Sequence, residues 1–320
     1  MVKSAARLFV LGACALWATA GWAQGYPAKP VRIVVPYDPG GAVDYTARLY
    51  QPRLTSALGQ QVVVENRPGA AGKVGAEAVA RSDPDGYIVL YTAGGTLSTW
   101  QANPATPEAV KNLTPISSAV TSVGAIAARL DLPAKSIVEL LELARRAPGK
   151  LTYGTSGVGS FQHLVGERLK KNGVELLHVP YKGLAPAMTA LASGQIDVAI
   201  TNLATAIPLA SQGKVRILAL TQGTRFEGAP GVPAITEAMP GFDMPAPWYG
   251  FFGPPKLARP VVARLNAEIG KALAAPEVKA KLTDISMVAV VSDPDQFAAM
   301  FRETASVYQD IIKAGNIQLE

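Results

Sequence analysis

VRIVVPYDPGG, Val31 to Gly41, is the stretch on which the fold turns. Its first half is short and β-branched, the composition of a strand. Its second half is turn chemistry ending in two glycines. Beyond it, Ala47, Leu49 and Leu54 recur at helical spacing as far as Leu58-Gly59, where glycine stops the helix. Pro52 interrupts that stretch, so a kink or short break is expected near Gln51. The same grammar then continues. Gln61 to Glu65 reads as a second strand, Asn66-Arg67-Pro68-Gly69 as a turn and Gly75 to Arg81 as a small-residue helix. Asp83-Pro84-Asp85-Gly86 is another turn, and Tyr87 to Tyr91 a third strand. Strands alternating with helices predict βαβ units around a mostly parallel sheet.

The pattern recurs with different residues. Ala119 to Ala128 reads as one strand. Ser136 opens a helix through Arg146, with Glu139 three residues on as a capping box. Strands at Leu151–Gly154, Leu176–Pro180, Ile196–Thr201 and Val215–Thr221 alternate with helices at Ser160–Asn172, Ala185–Ala192 and Ala204–Gln212. Residues 223–255 are rich in proline and carry Trp248, Tyr249, Phe251 and Phe252, which reads as a return crossing with its aromatics packed between lobes. Helices from Pro260, Glu277 and Asp295 are expected to cover the first lobe. The division expected is a leader over 1–23, a first lobe from 24–123 with 245–320, and a second lobe over 124–244, hinged near 122–125 and 242–247.

At 320 residues the chain suits two domains. Charged residues are only 17%, which excludes a disordered chain or a coiled coil. The net charge of +6 includes Lys3 and Arg7, and no basic run suggests nucleic acid. Met1 to Arg7 is short and positive, Leu8 to Ala20 apolar, and Gly21-Trp22-Ala23 places small residues before Gln24. This is the three-part pattern of a secretory signal peptide, cut after Ala23. The single cysteine, Cys14, lies within it; Leu11-Gly12-Ala13-Cys14 faintly resembles a lipidation box, but the apolar run continues past it. With the leader removed no cysteine remains, which excludes disulfides and thiolate chemistry.

Enzyme motifs fail one by one. The two histidines, His163 and His178, form no metal-binding spacing. GAAGKV at Gly69–Val74 has Arg67 where a phosphate loop needs glycine and Val74 where it needs Ser or Thr. GTSGVG at Gly154–Gly159 has Val158 where a nucleophile elbow needs its last glycine. The glycine loops suit capture better. Asp38-Pro39-Gly40-Gly41 and Thr155-Ser156-Gly157-Val158-Gly159-Ser160 each lead from a strand into a helix. A helix start has unpaired N–H groups and partial positive charge, so it can hold an anion without Lys or Arg. Either loop alone reads sooner as an ordinary βα turn; both, in an exported two-lobed chain, favour binding. Asp44 either caps its helix or touches ligand. His163 packs, caps or contacts ligand; Lys182 is either a charge at the cleft rim or a solvated turn lysine; the Asn202 amide is placed to read a polar group.

Several long segments together resemble the extracytoplasmic solute receptors of the tripartite tricarboxylate transporter system, the Bug receptors. They are YPAKPVRIVVPYDPGGAVDYTAR (Tyr26–Arg48), GQQVVVENRPGAAGKVGAEAVARSDPDGY (Gly59–Tyr87), PGKLTYGTSGVGSFQHLVGE (Pro148–Glu167), HVPYKG (His178–Gly183) and GQIDVAITNLATAIP (Gly194–Pro208). The resemblance implies a two-lobe periplasmic-binding-protein type II fold, a Venus flytrap, that is not an enzyme and needs no metal or cofactor. It implies a carboxylate ligand, with membrane permease subunits or a sensor protein as partners, a periplasmic setting and a monomer. A receptor used for signalling to a sensor partner and an α/β enzyme are the remaining alternatives. The ligand-binding set expected is Tyr37, Pro39, Gly40, Gly41 and Asp44; Thr92 and Gly94; Thr155, Ser156, Gly157, Gly159, Ser160 and His163; and Tyr181, Lys182 and Asn202. The chain departs from the family pattern at Thr201, where Asp is common, in a shortened Asn103–Leu113 segment, and in the Thr92–Thr96 loop, all near the expected cleft.

Overall fold

The computed structural model describes residues 25–242 and 244–318. The leader and Cys14 lie outside the described residues. Strand β1 (Val31–Val35) exposes only Arg32 of its five residues, the burial of a strand covered on both faces. Helix α1 (Ala42–Leu58) follows and runs through Pro52 without a break. The missing amide there costs one helical bond but does not end the helix. β2 (Val62–Asn66) pairs parallel with β1, Val31 opposite Val62. Helix α2 (Lys73–Ala80) leads to β3 (Ile88–Ala93), parallel on the other edge of β1. Helices α3 (Gly94–Ala102) and α4 (Glu108–Lys111) come next.

The apolar run read as one strand is two. β4 (Thr114–Ser122) belongs to the first sheet and β5 (Gly124–Arg129) to the second. Apolar patterning does not mark a chain that changes sheets in mid-run. Helix α5 (Ile137–Arg146) is capped by Ser136, whose Oγ accepts the Glu139 N–H at 3.2 Å. The Glu139 carboxylate accepts from Lys135 N–H at 2.7 Å. Then follow β6 (Thr152–Thr155), α6 (Phe161–Lys171), β7 (Leu177–Pro180), α7 (Leu184–Ala192), β8 (Val198–Asn202), α8 (Leu203–Ser211) and β9 (Val215–Leu220). The return is β10 (Trp248–Gly253), α9 (Arg259–Ala274), α10 (Pro276–Asp284), β11 (Met287–Ala289) and α11 (Pro294–Ala314).

The first sheet has the order β11-β4-β10-β3-β1-β2 and the second β7-β6-β8-β5-β9. The class is two-lobed α/β, but the sheets are mixed rather than mostly parallel. Only β2-β1-β3 and β7-β6-β8 are parallel runs. β10 is antiparallel to both β3 and β4, and β5 to both β8 and β9. The reason lies in the crossings. β5 and β10 each enter a lobe from the other one, so they run away from the gap, whereas β1, β3, β6 and β8 end at it.

Two further expectations are corrected. The aromatic group is not a packed connection: all six residues of Trp248–Gly253 are buried in a central strand of the first sheet. The last helix does not stay on the first lobe. Phe297 and Phe301 join the core of Trp248 and Phe252, while Tyr308, Ile311 and Ile312 join that of Leu164, Val165 and Ile200. At the floor of the gap the two crossings meet, Ser122 N–H donating to Pro247 O at 2.8 Å.

Candidate functional site

Between the lobes lies a cavity of about 620 Å³, lined by the ends of β1, β3, β6, β7 and β8 and by the crossings. Of the expected residues, Tyr37, Ser156, Gly159, Ser160, Tyr181, Lys182 and Asn202 line it. Pro39, Gly40 and Gly41 are exposed just beyond Tyr37, at the rim of the same strand ends.

The first junction is held from beneath. Gly40 has φ 87°, which glycine adopts without strain, while Gly41 is extended. Gly40 N–H donates to Asp44 Oδ2 at 2.9 Å. Asp44 also accepts from Arg48 Nε at 3.0 Å and Asn66 Nδ2 at 2.9 Å. Burial pushes its carboxyl up, but these donors outweigh that and hold it below the ordinary carboxylate range. Asp44 and the Gly40 amide are thus consumed in shaping the loop and are not free for a ligand. What remains is the start of α1. Its N-cap, Gly41, has no side chain, and no side-chain acceptor meets the first-turn N–H groups.

The second junction is capped by a side chain and partly satisfied from within. Gly157 N–H donates to Thr155 Oγ1 at 3.1 Å and Ser160 N–H to Gly157 O at 3.3 Å. Gly159 N–H donates to His163 Nδ1 at 3.1 Å, and His163 N–H to Ser160 Oγ at 3.2 Å. His163 is buried and stacks on His178 with ring centroids 4.0 Å apart. His178 Nε2 lies 2.7 Å from Thr155 Oγ1. Burial depresses both imidazoles, His178 to about 4 with help from its neighbour His163. An accepting Nδ1 places the His163 proton on Nε2. Thr155, Gly157 and His163 therefore build the loop from behind.

Thr92 and Gly94 also stand behind the wall. The Tyr37 hydroxyl donates to Thr96 Oγ1 and shares a second bond with buried Thr92 Oγ1, both at 3.0 Å. Gly94 lies against the Trp248 indole, where a Cβ would overlap the ring. In the second lobe Ser156 Oγ donates to Gln162 Oε1 at 3.0 Å, and Gln162 Nε2 to Asn202 Oδ1 at 3.4 Å.

Sequence reasoning missed Thr96, Thr99 and Trp100 of α3, together with Ser122, Gln162, Trp248 and Tyr249, all of which line the cavity. Gly94-Gly95 after β3 was the available signal, a third strand–glycine–helix junction. Ser122 gave none, being one hydroxyl in an apolar run, yet its buried Oγ has no partner. Lys182 is the only charged side chain in the lining among the described residues, and no Asp, Glu, Arg or His joins it. No group of three or more metal-ligating side chains occurs among the described residues.

Two α/β lobes flank a polar and aromatic cavity, the arrangement of a solute-binding receptor. The chain belongs to the tripartite tricarboxylate transporter family receptors, whose family description matches residues 46–317. It is 36% identical over 293 residues to the UPF0065 protein in the tcbD-tcbE intergenic region of Pseudomonas sp. strain P51, covering 90% of this chain and 87% of that one. Among solved structures it is similar to Rpa4515 of R. palustris with adipate, at 30% identity and TM-score 0.79, covering 91% and 99%. MatC of Rhodopseudomonas palustris with bound malate matches at 29% identity and TM-score 0.74, covering 90% and 100%.

Proposed function

We propose that the protein works in the periplasm, after removal of residues 1–23, as a monomeric receptor that captures a small carboxylated solute between its lobes and delivers it to a membrane permease. It does so without catalysis, metal or cofactor. The lobes are 24–123 with 245–320, and 124–244; the membership of the two sheets supports this division. No helix among the described residues is long and apolar enough to cross a membrane.

The observation that carries the reading is the uncapped start of α1 at the rim of an interlobe cavity whose one charge among the described residues is Lys182. Partial positive charge at that helix end attracts a carboxylate. Charge-assisted bonds to backbone N–H groups contribute about 1.5–3 kcal/mol each. Two or three of them supply about 3–9 kcal/mol before the cost of association, so micromolar capture at about −8 kcal/mol also draws on the apolar surface of the cavity. A thermal-shift panel of carboxylates, matched amides and amino acids tests it. Carboxylates should raise Tm where their amides do not. A panel in which amides stabilise as well as carboxylates would contradict it.

A further inference from the structure

We propose that His163 is a positioning residue of the cleft: its neutral imidazole holds the Gly157–Ser160 turn in place, and uptake of a proton releases that turn from the cavity wall. The inference concerns the unliganded protein and stands apart from which solute the cleft takes.

One residue grips the turn at two points. Gly159 N–H donates to the ring Nδ1 of His163 at 3.1 Å. The backbone N–H of His163 donates to Ser160 Oγ at 3.2 Å, and that hydroxyl donates to Gly157 O at 2.7 Å. Val158, Gly159 and Ser160 line the cavity, so the grip shapes its second-lobe wall. Only the ring bond depends on protonation. A backbone amide can only donate, so Nδ1 must be bare for the contact to exist. A proton on Nδ1 would set two N–H groups against each other. Proton uptake and the loop contact therefore exclude one another, and each weakens the other by the same free energy.

The surroundings favour the neutral ring. His163 is buried on α6, and His178 of β7 stacks on it within 10° of parallel. A charge on either ring opposes a charge on the other. Buried Tyr153 of β6 packs on His178 with ring centroids 5.0 Å apart, and its hydroxyl meets no partner. Tyr308 of α11 belongs to the same core. Among the described residues the one anionic group facing the ring is Glu167, a helical turn on, with Oε1 3.8 Å from Nε2. Burial lifts the Glu167 carboxyl, and Lys170 and Glu175, paired at 3.3 Å, act on it from outside in opposite senses. Glu167 thus offers a charged ring a partner that the turn cannot. Burial holds the His163 imidazole below its ordinary value of 6.5. The contact is therefore intact above neutrality and is lost as pH falls through that lowered value.

The test is amide hydrogen exchange of the purified, ligand-free protein, read by nitrogen-15 NMR between about pH 7.5 and about pH 5 together with the ring resonances of both histidines. The protection of Gly159 should fall about tenfold or more across that range. That of Leu177, whose N–H donates to Leu151 O at 2.7 Å in the same lobe, should stay within about twofold. His163→Asn sets an amide oxygen where Nδ1 lies, an acceptor that does not titrate, and should keep Gly159 protected at both ends of the range. Long-range ring spectra of the unaltered protein near neutral pH should show Nδ1 of His163 bare, a check that holds even if the variant fails to fold. Gly159 protection that stays within about twofold throughout, an equal loss in His163→Asn, or a proton on Nδ1 near neutral pH would overturn the proposal. Each of these results leaves the receptor reading untouched, and failure of the carboxylate panel leaves this inference untouched in turn.

Discussion

The two strand-to-helix junctions facing the cleft are written in nearly the same letters, yet one helix start is uncapped and the other is capped by a side chain. Asp38–Gly41 leads into α1 with glycine at the N-cap, and nothing caps the first turn. Thr155–Ser160 leads into α6 with serine at the N-cap, and His163 a turn later accepts the Gly159 amide. The acceptor at the first junction, Asp44, turns back to Gly40 instead of forward to the helix. Glycine-rich turns therefore do not by themselves make anion sites. What decides is whether a nearby acceptor has already taken the amides.

The largest effect on this contrast should come from Asp44→Ala. It leaves the Gly40 amide unpaired, takes one of the two acceptors of Asn66 Nδ2 and removes the carboxylate partner of Arg48. A loss of about 2–3 kcal/mol in unfolding free energy is expected, with carboxylate binding weakened at least tenfold. Denaturant unfolding and calorimetry measure both; a stable variant with intact binding would show that Asp44 does not shape the loop.

The second junction should respond to pH. Burial depresses His163, and depresses His178 from 6.5 to about 4. The unfolded chain then takes up protons that the fold refuses, so stability is full above neutrality and falls as pH drops below about 6.5 towards 4. Asp44 and Asp197, held below the usual carboxylate range, lose their contribution only at more acid pH. Melting followed from pH 8 to 4.5 should decline within that window; a flat profile would mean that the imidazoles titrate freely. A smaller effect is expected of Ser160→Ala, which removes a cap worth about 1 kcal/mol and should leave carboxylate affinity little changed. A large loss of affinity would show that the closed junction also touches the ligand.

The alternating strands, the two lobes and the family were legible, because period-2 and period-3.6 patterning and long motifs are local properties. The junction of β4 with β5 was not, since burial on both sides of Val123 erases any boundary. Nor was the central place of β10, which depends on the chain returning from the other lobe. Within the site, the loop glycines were visible but the fate of their amides was not. Gly40 and Gly159 look alike in sequence, and only the positions of Asp44 and His163 show that both amides are spent. Thr99, Trp100 and Ser122 were missed because their place at the cleft comes from how α3 and the β4–β5 crossing pack together rather than from any spacing.

Backbone amide chemical shifts tell the two junctions apart most directly. The protein, uniformly labelled with nitrogen-15, would be titrated with the tightest-binding carboxylate of the panel. The largest shifts should fall on Gly41, Ala42 and Val43, with smaller ones at Gly157, Gly159 and Ser160. Dominant shifts at Gly157, Gly159 and Ser160, with Gly41 to Val43 unmoved, would contradict the assignment of the carboxylate to the open start of α1.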